Sequence, residues 1–136
     1  MLFMKVSWAF LSDHRRVACS SRRHLADVAF PSIPADDESW FCKTEQFKRP
    51  FPEVKPHLEA HKEWVTKLRT EQGYCITSGY RVDAEGKPGG GGLMFLAAKS
   101  YQDALEIVLQ DPLVANDCVE WELNGWIGQV GDIQLR

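Results

Sequence analysis

The sequence predicts an α+β domain, a four-stranded antiparallel sheet with two helices on one face, and three observations predict it. The chain has 136 residues, 44% hydrophobic and 26% charged, which suits one globular domain with a real core and excludes a two-domain enzyme. From Trp40 onward the hydrophobic period alternates between two and about 3.6 in the order strand, helix, strand, strand, helix, strand. The changes of period are marked by glycine, proline or a capping residue.

Residues 1–39 have a different character and are read as a poorly ordered N-terminal extension, leaving residues 40–136 as the domain. Arg15, Arg16, Arg22 and Arg23 sit among serines in a segment that faintly resembles a transit peptide; Pro31, Pro34 and Asp36-Asp37-Glu38 then interrupt any periodicity. Residues 1–24 hold five Lys/Arg against one acid. Of the chain's 16 basic and 19 acidic residues, this leaves 11 against 18 for the rest. An acidic body without a basic face lacks the electrostatic footprint of nucleic-acid binding, so no nucleic-acid partner is expected. The richest apolar run, Leu93 to Ala98, ends at Lys99 and falls far short of the roughly 18 residues of a membrane span. A soluble, cytoplasmic protein is expected. Cys19, Cys42, Cys75 and Cys118 form no Cys-x-x-Cys pair and read as reduced, mostly buried thiols.

Each element follows from its pattern. Trp40 to Glu45 is aromatic-rich and then alternating, a short strand. Between Pro52 and Gln72 the residues Leu58, His61, Val65 and Leu68 fall in steps of three and four, one face of a helix that Gly73 stops. Tyr74 to Val82 puts Tyr74, Ile76, Tyr80 and Val82 on one side of a strand. A glycine-rich loop, Asp83 to Gly92, leads to a central strand from Gly91 to Ala97. Ser100 caps a second helix with Tyr101, Ala104, Leu105 and Val108 as its buried stripe, and Pro112 ends it. Val119, Trp121 and Leu123 alternate with Glu120, Glu122 and Asn124 in a last strand, and Trp126 to Val130 is a candidate extra edge strand. The order β-α-β-β-α-β is the split βαβ arrangement of ferredoxin-like folds. It leaves one sheet face open, and a second copy packing on that face predicts a homodimer.

This topology sets the two helices antiparallel and brings the first half of helix one near the end of helix two. His61, on the sheet-facing stripe of the first, is thereby placed beside Asp111, which closes the second. A carboxylate beside an imidazole selects its tautomer and orients the ring, making a general acid or base near neutral pH. Such a pair is also a common structural staple, and Asp-Pro a common helix stop.

The run Pro56-His57-Leu58-Glu59-Ala60-His61-Lys62-Glu63-Trp64-Val65, the turn Gly73-Tyr74-Cys75-Ile76-Thr77-Ser78-Gly79 and the segment Asp111-Pro112-Leu113-Val114-Ala115-Asn116-Asp117-Cys118-Val119 resemble the YciI-like (YCII-related) family over about residues 40–126. The family's helix-one histidine corresponds to His61 and its Asp-Pro aspartate to Asp111. The resemblance implies the dimeric α/β-barrel superfamily, a His–Asp active site and small organic acids or ring-derived molecules as substrates. Tyr80 follows Gly79 where many relatives have proline, and the loop to Gly92 is glycine-rich; both imply a different substrate pocket.

Other candidates rank lower. His57 and His61 have the spacing of a metal-ligand pair on a helix, but His-Leu-Glu-Ala-His is not His-Glu-x-x-His and no third ligand is evident; neither metal nor cofactor is expected. Gly86-Lys87-Pro88 followed by four glycines fails as a phosphate loop, because Pro88 replaces the required Ser or Thr. On the open sheet face Ser78, Arg81, Lys43, Glu120 or Glu122 could line a cleft, alternation alone leaving the parity unset; Ser78 and Arg81 are the substrate-binding candidates, Arg81 for an anionic group. Trp121 and Trp126 read as core or interface anchors. The function expected is proton transfer by His61 and Asp111, of isomerase or lyase type. The rival is a non-catalytic homodimeric ligand-binding or accessory module in which the pair only ties the helices together.

Overall fold

The structure, a computed structural model, describes residues 34–131. Cys19 and the Arg- and Ser-rich segment of the expected extension lie outside them. The first strand, β1, spans Ser39–Phe47, and the first helix, α1, Phe51–Thr70. Strands β2 and β3 span Ile76–Val82 and Pro88–Ala98, helix α2 Tyr101–Val108, a short helix α3 Pro112–Ala115, and strand β4 Val119–Trp126. The sheet order is β2-β3-β1-β4 with every neighbouring pair antiparallel. This is the α+β, ferredoxin-like arrangement expected, with α3 as an addition.

The helices stop and start where local chemistry requires it. At the end of α1, Gly73 takes φ +72°, and the Tyr74 amide then donates to the Leu68 carbonyl at 3.0 Å. Ser100 caps α2 by accepting from the Asp103 amide at 3.1 Å. Asp111 does not close α2. It caps α3, accepting from the Leu113 amide at 2.9 Å with Pro112 at the first helical position, where a missing N–H costs nothing.

The principal core packs Phe41, Ile76, Met94, Leu96 and Leu123 of the sheet against Val65 and Leu68 of α1 and Ala104 and Val108 of α2. A smaller cluster joins Val54, Leu113, Cys118 and Val119 at the α1–α3 end. The opposite face carries Trp40, Cys75 and Ala97 with Phe95 packed against them.

Three expectations are corrected. Gly89 to Gly92 belong to β3 rather than to a loop. Tyr80 pairs with Gly92 and Val82 with Pro88, so Arg81 opposes three glycines in a bulge; glycine marks such irregular strands as readily as it marks turns. Ile127 to Val130 form no strand and lie exposed beyond β4, because that edge residue pattern meets no partner among the described residues. The second strand begins at Ile76, not Tyr74, since the chain is still leaving the helix terminus at Gly73. No helix among the described residues is long and apolar enough to cross a membrane.

Candidate functional site

Strand register decides which side chains can meet. Lys43, Met94 and Ser78 form one cross-strand row, and Glu45, Gly92 and Tyr80 the next. Met94 lies in the helix-covered core, so both rows face the helices. Ser78 and Lys43 therefore project away from the open face on which a cleft was expected. Glu120 and Glu122 have the opposite parity to the buried Leu123 and remain exposed.

His61, in the middle of α1 and 4% exposed, sits above these rows with its ring tilted against Trp64 at 5.9 Å. Its Nδ1 is 2.8 Å from Asp111 Oδ1, and its Nε2 is 2.8 Å from Ser78 Oγ. The other Asp111 oxygen accepts from Lys43 Nζ at 2.7 Å, and Lys43 Nζ donates also to Glu45 Oε2 at 2.5 Å. A chain of contacts thus runs from Ser78 through His61, Asp111 and Lys43 to Glu45. Lys43 and Asp111 are wholly buried and Glu45 nearly so.

Burial by itself would raise the Asp111 carboxyl, but the His61 hydrogen bond and the Lys43 charge outweigh it and hold the group below the ordinary carboxylate range. An ionised carboxylate can only accept, so His61 Nδ1 carries the proton. In the neutral ring this leaves Nε2 as the acceptor for the Ser78 hydroxyl. A half-buried Ser78 thus marks the end of the network where the imidazole's basic nitrogen is aimed.

Of the four residues singled out from the sequence, the structure brings His61, Asp111 and Ser78 together. Arg81 lies elsewhere: its guanidinium bonds the Glu45 carbonyl at 3.0 Å and Gln46 Oε1 at 2.8 Å. A Cβ on Gly91 would collide with that guanidinium, and Gly91 shares the parity of Phe95 and Ala97 on the open face. Arg81 is therefore across the sheet from His61. Glu45 was missed, and Lys43 was considered only for the other face. The signal for both was the alternation Phe41, Lys43, Glu45, Phe47, which places two charges in register with apolar core positions. Among the described residues no cluster of three or more His, Cys, Asp or Glu side chains is set to hold a metal.

The sequence model of the YCII-related domain matches residues 40–123, the stretch that carries all five residues of this network. The chain belongs to the YCII-related domain family. Among solved structures, this YCII-related domain is similar to 5-chloro-2-hydroxyhydroquinone dehydrochlorinase from Burkholderia phenoliruptrix, solved in complex with 2,5-dihydroxybenzoquinone: TM-score 0.51, 16% identity, covering 65% of this chain and 95% of that one. It also matches SnoaB, a cofactor-independent oxygenase from Streptomyces nogalater, at TM-score 0.43 and 9% identity, over 70% of this chain and 96% of that one. The fold is that of the ferredoxin-like dimeric α/β-barrel proteins. No curated protein matches the chain.

Proposed function

We propose that this protein is a small-molecule enzyme in which His61 transfers a proton to or from a small organic acid or ring-derived substrate, in an isomerase or lyase type of reaction. Asp111 orients the ring and balances the charge that develops on it, and Ser78 contacts the substrate beside Nε2. The observation that carries this reading is the continuous contact from Ser78 Oγ through both ring nitrogens to an ionised, buried Asp111. A dehydrochlorinase on the same fold supports the idea that this architecture suits small-molecule chemistry, at an identity too low to lend its substrate. A second copy of the chain is the proposed partner, through the open sheet face.

The structural-staple reading draws support from Asp111 itself, which also holds Lys43 and the Leu113 amide. Loss of stability in Asp111→Asn therefore separates the two readings poorly, and His61 has to be tested directly. The experiment is ¹⁵N NMR of the His61 ring in the native protein and in Asp111→Asn, together with a screen of small acids and lactones for proton–deuterium exchange. The expected result is a single Nδ1–H tautomer that Asp111→Asn disrupts, and exchange that His61→Gln abolishes while the protein stays folded. A ring populating both tautomers in the native protein, or exchange untouched by His61→Gln, would overturn the reading.

A further inference from the structure

The contact network has a second end, at Glu45. Its Oε2 bonds Lys43, but Oε1 accepts no hydrogen bond among the described residues, and the side chain retains a 6% exposed surface. Oε1 hangs over bare backbone: a Cβ on Gly92 would come within 2.9 Å of it. On the other side of Gly92 in the same row stands Tyr80, 69% exposed and two interstrand spacings, about 10 Å, from Glu45. The adjacent row carries Ser78, with His61 above it. A floor without a side chain is thus flanked by a carboxylate oxygen lacking a donor, an aromatic ring and the hydroxyl–imidazole pair.

We propose that Glu45 is a second ligand-contacting group of this site, and that the ligand it takes over Gly92 is a small uncharged molecule bearing hydroxyl groups rather than a carboxylate. This rests on the reading of His61 as the proton-transfer group and, of the two substrate classes proposed for it, keeps the uncharged ring-derived molecule and sets aside the organic acid. Glu45 Oε1 can only accept, so the ligand must donate. When His61 is neutral and ready to take a proton, Asp111 and Glu45 stand against Lys43 alone, and the buried network carries one excess negative charge. Arg81, the cation that would offset an anionic substrate, is on the far face of the sheet. A carboxylate entering here meets repulsion in a weakly screened setting, whereas a hydroxyl gains a charge-assisted hydrogen bond. Tyr80 offers a ring face for a flat ligand to pack on.

The test compares resorcinol with benzoate, a neutral diol and an anion of similar size, by ¹H–¹⁵N NMR titration of the full chain and of Glu45→Gln. Resorcinol should shift the Gly92 and Glu45 amides together with the His61 ring signals, bind about tenfold or more tightly than benzoate, and lose about tenfold in affinity in Glu45→Gln. Benzoate binding as tightly as resorcinol, or resorcinol binding equally well to Glu45→Gln, would overturn the proposal. Resorcinol shifts confined to His61 and Ser78 would overturn the role of Glu45 while leaving His61 as the reacting group. If His61, Gly92 and Glu45 are all unmoved by either probe at millimolar concentration, both readings fall. Should Glu45→Gln not fold, Glu45→Asp, which withdraws the carboxylate by one methylene, is expected to weaken resorcinol in the same direction.

Discussion

At the scale of single residues, the decisive feature is a set of buried and nearly buried charges, Lys43, Asp111 and Glu45. Asp111 is held below the ordinary carboxylate range, so its ionisation stabilises the fold above the unfolded-chain pKa of about 4, and that stabilisation is lost as pH falls through the folded-state value. Urea denaturation from pH 7 to pH 3 should show wild type losing stability below about pH 4, with a flatter profile in Asp111→Asn. Lys43→Met should cost about 3–5 kcal/mol, because it leaves Asp111 and Glu45 buried without their cation; the midpoint of the same denaturation curve measures it. For the thiols burial is the largest cause. Desolvation pushes Cys42 and Cys75 up, and nearby Glu38 pushes Cys75 further, so iodoacetamide at pH 8 should alkylate both far more slowly in the native than in the urea-unfolded protein, as read by mass spectrometry.

At the scale of elements, the helices were legible in the sequence because their signals are local. The period-3.6 stripe of Leu58, His61, Val65 and Leu68, the Gly73 stop and the Ser100 cap each act within a turn of themselves. Ser100→Ala should therefore cost about 1 kcal/mol, seen as a modest fall in melting temperature. The glycine run was misread because what it serves lies on the two neighbouring strands, β2 and β1. Gly91 leaves room for the Arg81 guanidinium, and Gly92 for the Glu45 carboxylate and the Gly79 carbonyl. Gly92→Ala should lower the melting temperature by more than Ser100→Ala does, since the added methyl meets the backbone oxygen of Gly79 at 2.8 Å. The short helix α3 was missed for a related reason: Asp-Pro reads equally as the end of one helix and the start of another.

At the scale of the whole molecule, the sheet has one face covered by helices and one bearing Trp40, Phe95 and Trp126, the last two in edge contact at 5.8 Å. Trp126 is 47% exposed and Leu93 38% exposed on that face. The indole nitrogen of Trp40 is buried there with no hydrogen-bond partner among the described residues. A second copy would cover this surface, as the dimer reading requires. Light scattering should give twice the chain mass, and Trp126→Lys together with Leu93→Lys should shift it toward one chain without unfolding the protein. A wild-type monomer over the micromolar range would remove the dimer from the account.

The sequence by itself determined the order and type of the four strands and the two main helices, and the pairing of His61 with Asp111. Those depend on local periodicity, on capping and on a topology that a small domain of this pattern adopts. The tertiary structure alone decided the parity of β1 and β2, hence that Ser78, Lys43 and Glu45 join His61 while Arg81 faces away. A one-residue change of strand parity sends every side chain to the other face, and the alternation Phe41, Lys43, Glu45, Phe47 groups these side chains without saying what Lys43 and Glu45 will meet there. That is decided by packing between residues far apart in the chain, where Lys43 finds Asp111 across a separation of 68 positions.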